Sequence, residues 1–170
     1  MGDAGLFADE RVELLDGTIV NMAPQNSPHA STVTRLHRTL MRAIGDVTHL
    51  RMQLPIVLDD WSEPEPDVAV CNLDPYDYAR AHPHGADLLL VCEVAESSLA
   101  YDRGAKAAAY AASGISEYWI VDLDSRTIEV RSDPDAVSRR YRREAVVREV
   151  EMLTAPGGVL IAAADVLPPL

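Results

Sequence analysis

An unbroken apolar run at residues 88–92, which ends at Glu93, constrains the fold of this chain more than any other feature. Such a run is typical of a central strand that is covered on both faces of a sheet. A charged carboxylate at the end of a buried strand is unfavourable unless a partner compensates its charge. A salt bridge to an arginine or a divalent cation with oxygen ligands would do so, and the residues alone leave both open.

The remaining pattern predicts one layered domain over residues 1–170. Apolar spacing and turn residues predict two helices and two hairpins, the helices at 27–45 and 102–114 and the hairpins at 12–24 and 117–132. Ser27 is the expected N-cap of the first helix, and Asp16-Gly17 is the expected turn of the first hairpin. Further strands are predicted at 50–60, 66–73 and 87–95, with short strands in the tail at 141–167. The expected fold class is therefore α/β or α+β, a central mixed β-sheet flanked by helices, with an extra N-terminal hairpin and extra C-terminal strands.

Composition narrows the class of protein. The formal net charge of −12 means that a nucleic-acid partner would have to meet a local basic patch or bound cations. No apolar run is long enough to span a bilayer, and the start "MGDAGLFADERVE" lacks the features of a secretory leader, so we expect a cytoplasmic protein with no membrane partner. Cys71 and Cys92 lie in apolar runs and are expected to be buried free thiols.

A second carboxylate, Asp67, follows the turn sequence "EPEP" and opens a predicted strand. If this strand neighbours the strand of Glu93, the two carboxylates lie side by side, and a cation between them would relieve their repulsion. Mg²⁺, which is held by few carboxylates and keeps several waters, suits such a pair. The alternative is that Asp67 only ends a proline-rich turn and that Glu93 pairs with an arginine.

Lys106 is the only lysine in a chain that has fourteen arginines, so its position calls for a compact, titratable amine. It belongs to a stripe on the second helix with Asp102, the expected N-cap, and Tyr110. A neighbouring face of small residues is expected to pack on the sheet: Ala105, Ala108, Ala109 and Ala112. The stripe would direct the amine towards Glu93, although a surface pair between Asp102 and Lys106 is the alternative. Two carboxylates, a metal and a lysine suit phosphodiester hydrolysis.

Five segments, in order, resemble the Uma2 family from about Glu10 to the end of the chain: "VELLDGTIV", "PEPDVAV", "CEVAESS", "YDRGAKAAAYAASGISEYWIVDL" and "TIEVR". That family belongs to the restriction endonuclease-like PD-(D/E)xK superfamily. The resemblance implies a restriction endonuclease-like core with a four-stranded mixed sheet, flanking helices and a Mg²⁺ site at one end. Ala95 stands where the superfamily pattern has its lysine, and the resemblance implies that Lys106 supplies it from the following helix.

The resemblance also implies the roles of the site residues. Asp67, in the matching "PD", and Glu93 would be metal ligands, with the main-chain carbonyl of Val94 as a third, and Lys106 would orient the attacking water. Glu13, in the family's "E-L-x-D-G" stretch, is a further catalytic candidate; its alternative is a surface charge at a strand edge.

Three histidines and a tyrosine are weaker candidates. His29, early in the first helix, would contact the site or the phosphate, or simply lie near the helix N-terminus. Tyr110 is expected in the core more than as a hydroxyl donor. His82 and His84 have the spacing of metal ligands but lack a third ligand, so we expect them to be loop residues.

The sequence thus predicts a Mg²⁺-dependent endonuclease, with Mn²⁺ as the alternative ion, that acts on DNA without a base-reading element. A catalytically silent nuclease-fold module for binding or assembly is the competing hypothesis, and a hydrolase for another phosphoester is a third. Two basic patches would contact phosphates or simply be solvated: Arg35, Arg38 and Arg42 on the first helix, and "SRRYRRE" at 138–144. A homodimer is a further expectation.

Overall fold

A computed structural model describes residues 11–22 and 24–169, so the predicted domain of 1–170 includes residues that lie outside the described part. In chain order the strands are β1 (Val12–Leu15), β2 (Thr18–Asn21), β3 (His49–Met52), β4 (Val68–Cys71), β5 (Leu88–Ala95), β6 (Glu117–Asp122), β7 (Thr127–Asp135), β8 (Arg140–Arg148), β9 (Met152–Ala155) and β10 (Val159–Ala162). The helices are α1 (Ser27–Ile44), α2 (Leu99–Tyr101), α3 (Ala107–Ala112) and α4 (Ala163–Val166), and a π-helical segment (Asp102–Lys106) joins α2 to α3. Among the described residues no helix is both long and apolar enough to cross a membrane.

The central sheet has six strands in the order β3-β4-β5-β6-β7-β8. The pair β5–β6 is parallel and the other pairs are antiparallel, so the sheet is mixed, as predicted, and wider than the four strands that the resemblance implied. The β1–β2 and β9–β10 hairpins form two separate small sheets, which confirms the extra N-terminal and C-terminal strands. The predicted strand at 50–60 is much shorter, because the chain leaves the sheet after Met52 with Gln53 at a φ of 53°.

Strand β5 alternates its side chains between two cores. Leu90 and Cys92 point into a core that α1 covers, where Leu36 and Leu40 are fully buried. Fully burying a leucine side chain contributes about 1.5–3 kcal/mol. Val91 and Ala95 point to the other face, which α3 covers. Glu93 lies between these two residues in the alternation and belongs to the same face.

Asn26 caps α1, not Ser27 as the sequence predicted. The Asn26 side-chain oxygen accepts a hydrogen bond from the main-chain N–H of His29 at 3.0 Å, and Ser27 and Pro28 are the first helical residues. The cap prediction was wrong by one residue because serine and asparagine are both good caps and only the backbone shows which one precedes the first turn.

The second helix begins at Leu99, three residues before the expected cap Asp102, which is buried inside the π-helical segment. The expected alanine face is also wrong, since Ala105 is exposed. The buried side of the helix instead carries the polar stripe and its neighbours: Asp102, Lys106, Ala107, Ala109, Tyr110 and Ala111. The reason is that a π turn spans five residues and rotates the face that regular α-helical spacing predicts.

Candidate metal centre and active site

A cleft of about 210 Å³ opens beside the end of β5. Its lining includes the side chains predicted for the site, namely Glu13, Asp67, Glu93 and Lys106, together with Val94. These four side chains belong to nearly buried residues, which are between 4% and 7% exposed. Elements far apart in sequence therefore bring four ionisable groups into one enclosed place.

Asp67 lies opposite Glu93 because β4 and β5 pair antiparallel with Val68 level with Cys92. Its Oδ2 accepts a hydrogen bond from the Val94 N–H at 2.9 Å, and its Oδ1 lies 3.1 Å from both the Gln53 amide and the His29 ring. These partners fix the carboxylate at the start of β4 with its face towards the cleft.

Glu93 is held by two donors from the second helix. The Lys106 Nζ lies 2.9 Å from Glu93 Oε1, and the Tyr110 hydroxyl donates to the same oxygen at 2.7 Å. Tyr110 is fully buried, so the expected core residue is also the hydroxyl donor. The π-helical segment ends at Lys106 and presents its amine to the end of β5.

Glu13 reaches the same amine from the β1–β2 hairpin. Its Oε2 lies 3.2 Å from Lys106 Nζ and accepts from the Glu65 N–H at 3.3 Å. The turn Asp16-Gly17, with positive φ at both residues, closes the hairpin as predicted. Glu13 is thus buried in the site and is not a surface charge at a strand edge.

Asp102, the fourth carboxylate of this cluster, accepts a hydrogen bond from the Ser98 hydroxyl at 2.6 Å. It lines the cleft and is 2% exposed. Burial raises its pKa, against the opposing charge of Lys106. The alternative of a surface pair between Asp102 and Lys106 is therefore wrong, because both residues are buried inside the site.

The site is short of positive charge. Burial raises the pKa of Glu93 to about 8 even though the Lys106 ammonium opposes the rise, and the nearby carboxylates Asp102 and Asp67 add to it. Burial acts against the charge on Lys106, but Glu93, Glu13 and Asp102 outweigh it, so the pKa of the amine is raised and it stays protonated. One ammonium cannot neutralise the carboxylates around it.

His29 compensates Asp67 at the other side of the cleft. Burial acts to raise the pKa of Asp67, but the hydrogen bond and charge of His29 outweigh it and hold that pKa below its usual range. The pKa of His29 rises in turn, because Asp67 outweighs the effect of burial on the ring. The candidate His29 therefore contacts the site directly.

The donor set fits a hard divalent ion such as Mg²⁺. Among residues 11–22 and 24–169, no hydrogen bond reaches Glu93 Oε2, and Asp67 Oδ2 accepts only one, so each carboxylate keeps an oxygen with free lone pairs. Within the same residues no group of three or more His, Cys, Asp or Glu side chains is arranged to hold a metal ion. Mg²⁺ is usually bound through one or two carboxylates and keeps several waters, so the pair Asp67 and Glu93 is the donor set that fits it.

His82 and His84 lie outside this site, in the loop before β5, as predicted. The His82 ring contacts the Arg51 guanidinium at 3.1 Å, and the His84 N–H donates to Asp87. Neither is among the residues that line the cleft.

Sequence reasoning missed two residues of the site. Gln53 donates to Asp67 from a position with a φ of 53°. No sequence pattern predicted this backbone conformation. Tyr101 lines the cleft, with its ring centroid 5.9 Å from Lys106 Nζ. Its place five residues before Lys106 would have put it on a different face of a regular α-helix, so the sequence offered no signal.

Comparisons with known proteins identify the family and the fold of this chain. The Uma2 family, described as "Putative restriction endonuclease", matches residues 6–164. No curated protein matches the chain. The chain is similar to the crystal structure of a "putative nuclease belonging to DUF820" from Anabaena variabilis, with 12% identity and a TM-score of 0.69 over 93% of this chain and 90% of that chain. The structural likeness shows a shared fold. Because the family match covers nearly its whole length, the chain belongs to the Uma2 family.

Proposed function

We propose that this protein is a Mg²⁺-dependent endonuclease that hydrolyses phosphodiester bonds in DNA. The observation that carries the proposal is the nearly buried cleft in which Asp67 and Glu93 lie level on neighbouring strands, with the Lys106 amine 2.9 Å from Glu93. The descriptions of the family and of the structural neighbour, both as nucleases, support it.

The charge balance of the cleft supports a bound cation. Four buried carboxylates, those of Glu13, Asp67, Glu93 and Asp102, face one lysine and one histidine. The other charged residues of the lining do not change this balance, because Arg11 pairs with Glu65 and Glu96 is a further carboxylate. An uncompensated buried carboxylate is costly, and a divalent ion near Asp67 and Glu93 would remove that cost. Val94 also lines the cleft. Its main-chain carbonyl is the proposed third ligand.

Lys106 has one donor to spare for the reaction. Its Nζ donates to Glu93 Oε1 and forms an ion pair with Glu13 Oε2, so at least one of its three N–H groups is left for a water or a phosphate oxygen. We assign it the orientation of the attacking water and the stabilisation of charge on the phosphate. When bound, Mg²⁺ lowers the pKa of a coordinated water and polarises a phosphoryl oxygen.

The two candidate basic patches give DNA little general attraction. Arg38 and Arg42 are exposed on α1, but the Arg35 guanidinium donates to the Ala164 carbonyl. In the second patch, Arg139 pairs with Asp16, and Arg142 pairs with two aspartates of β7. We therefore propose that DNA is held mainly through the metal and the cleft, without base reading, and that binding in EDTA is weak.

The competing hypothesis, a silent binding or assembly module, would be supported by an arginine within reach of both Asp67 and Glu93, in the place of the metal. Within the described residues no arginine forms an ion pair with Asp67 or Glu93; their cationic partners are His29 and Lys106. The arrangement therefore favours the enzyme over the module.

The test is nicking of supercoiled plasmid in Mg²⁺ or Mn²⁺, together with calorimetric titration of Mg²⁺. Wild-type protein should bind the ion and nick, and Asp67→Ala should do neither. Asp60→Ala, which removes an exposed carboxylate outside the cleft, is the matched control and should behave as wild type. A wild type that binds no divalent ion, or an Asp67→Ala variant that nicks at the wild-type rate, would overturn the proposal.

A further inference from the structure

Among the buried side-chain oxygens and nitrogens of the described cleft residues, the Tyr101 hydroxyl is the one that lacks a hydrogen-bond partner. Its oxygen is buried, yet within the described part of the chain it forms no hydrogen bond. The other tyrosines buried beneath the sheet all have one: Tyr110 donates to Glu93, Tyr118 to the Asp102 carbonyl and Tyr141 to the Ile115 carbonyl. A buried donor without an acceptor is unfavourable, so this position calls for a ligand oxygen.

The backbone places this hydroxyl beside the reacting groups. Tyr101 ends α2, and the π-helical segment that follows brings its ring to 5.9 Å from the Lys106 Nζ. Both residues line the cleft with Glu13 and Glu93. Short π-helical turns are frequent at functional sites, where they redirect side chains that a regular helix would separate.

The Tyr101 hydroxyl keeps its proton at neutral pH and can therefore donate a hydrogen bond. Burial raises the pKa of Tyr101 to about 12, and the carboxylates of Glu13, Asp102 and Glu93 contribute to the rise. A group that keeps its proton among carboxylates suits an incoming anionic oxygen that is held in place by a cation and by Lys106.

We propose that Tyr101 donates a hydrogen bond to a non-bridging oxygen of the scissile phosphate. This inference rests on the proposed endonuclease function and adds a phosphate-contacting residue to it. The contact strengthens as charge develops on that oxygen in the transition state, so it acts on kcat more than on KM.

Tyr101→Phe tests the inference because it removes only the hydroxyl. We expect kcat/KM for cleavage of a fluorescently labelled DNA duplex in Mg²⁺ to fall about 10- to 100-fold, the effect of one lost hydrogen bond to a charged group, mostly through kcat. Mg²⁺ affinity by calorimetry and the melting temperature should stay at wild-type values, since the hydroxyl has no protein partner to lose. Tyr76→Phe, at a half-exposed tyrosine outside the cleft, is the matched control and should cleave as wild type.

A sulfur substitution in the DNA identifies the contacted atom. Sulfur is a weak hydrogen-bond acceptor, so replacing the contacted non-bridging oxygen should slow the wild type and hardly slow Tyr101→Phe further. The ratio of wild-type to variant rates should therefore shrink on the phosphorothioate duplex of one configuration. An unchanged ratio for both configurations would overturn the proposed contact.

The outcomes separate this inference from the function on which it rests. A wild type that neither binds Mg²⁺ nor cleaves DNA overturns both. A wild type that cleaves while Tyr101→Phe cleaves equally well overturns the Tyr101 contact alone. Loss of Mg²⁺ binding or of thermal stability in Tyr101→Phe also overturns it, because the hydroxyl would then be a structural group.

Discussion

Replacing Lys106 by methionine should destabilise the protein strongly, because the amine compensates two buried carboxylates. Its Nζ lies 2.9 Å from Glu93 and 3.2 Å from Glu13, and these side chains are between 3% and 7% exposed. Methionine keeps most of the volume of the aliphatic stem, so the change removes the charge and creates little cavity.

The magnitude follows from the cost of leaving a buried charge without its partner. Removing one member of a buried ion pair costs about 3–5 kcal/mol. In a domain of this length each kcal/mol lowers Tm by ~2–4 °C, so Lys106→Met should melt roughly 6–20 °C below wild type without divalent ions.

The loss should depend on pH in a defined direction. The pKa of Glu93 is raised to about 8 in the folded protein, above an unfolded value of about 4.3, so the folded state binds more protons between these values and stability falls as pH rises across them. Lys106 limits that fall in the wild type and is charged throughout this range, since its pKa is raised. The difference in stability between wild type and Lys106→Met should therefore be large at pH 8 and small at pH 5.

The assay is thermal and urea unfolding followed by circular dichroism, at pH 5 and pH 8, in EDTA. Arg140→Met is the matched control, because Arg140 is exposed and has no ion pair among the described residues; it should change the free energy of unfolding by less than about 0.5 kcal/mol. If Lys106→Met and the wild type have the same melting temperature at pH 8, the amine does not lie between Glu13 and Glu93 and the reasoning fails.

Three further predictions concern the fold. Asn26→Ala should lower the free energy of unfolding by about 1 kcal/mol, whereas Ser27→Ala should leave it nearly unchanged, because the structure makes Asn26 the cap of α1; equal effects in urea unfolding would contradict this. Cys71 and Cys92 should not react with a thiol reagent at pH 8 until urea unfolds the chain, since both are buried and burial raises the pKa of Cys71 to about 12; rapid labelling of the native protein would refute their burial. Tyr141→Phe should cost about 1 kcal/mol in urea unfolding, because it leaves the Ile115 carbonyl without its donor; an unchanged midpoint would count against that hydrogen bond.

The strand-end part of the site could be read from the sequence. The apolar run before Glu93 predicted a central strand, and the residues after Asp67 predicted a second strand. Only the pairing of these two strands could not be predicted from the sequence. The stripe on the second helix left both a surface pair with Asp102 and a contact with Glu93 open for Lys106, and the family resemblance favoured the contact that the structure has. Local sequence patterns are enough to predict the position of a residue when burial of its neighbours determines the strand or helix in which it lies.

The rest depended on tertiary structure and on one irregular turn. Glu13 enters the site because the β1–β2 hairpin folds back through the Leu14–Glu63 bridge, a contact between distant segments. The π-helical segment moved Tyr101 into the cleft and turned Ala105 outward, and no simple spacing rule announces such a turn. A prediction from apolar periodicity assumes a constant number of residues per helical turn. The prediction fails where the helix has a different number, as in a π turn.

The outer edge of β8 has a consequence for self-association. The strand pairs with β7 on one side only, so within the described part of the chain its other edge offers unpaired main-chain groups to a strand from another molecule. Four guanidinium groups lie along this strand: Arg140, Arg142, Arg143 and Arg148. Like charges brought together by edge-to-edge pairing would repel, so the fringe of arginines disfavours aggregation through this edge. An acidic chain thus keeps a basic strand at its sheet edge, and its solubility at low salt should fall when those arginines are replaced with neutral residues, because high salt screens the repulsion in either case.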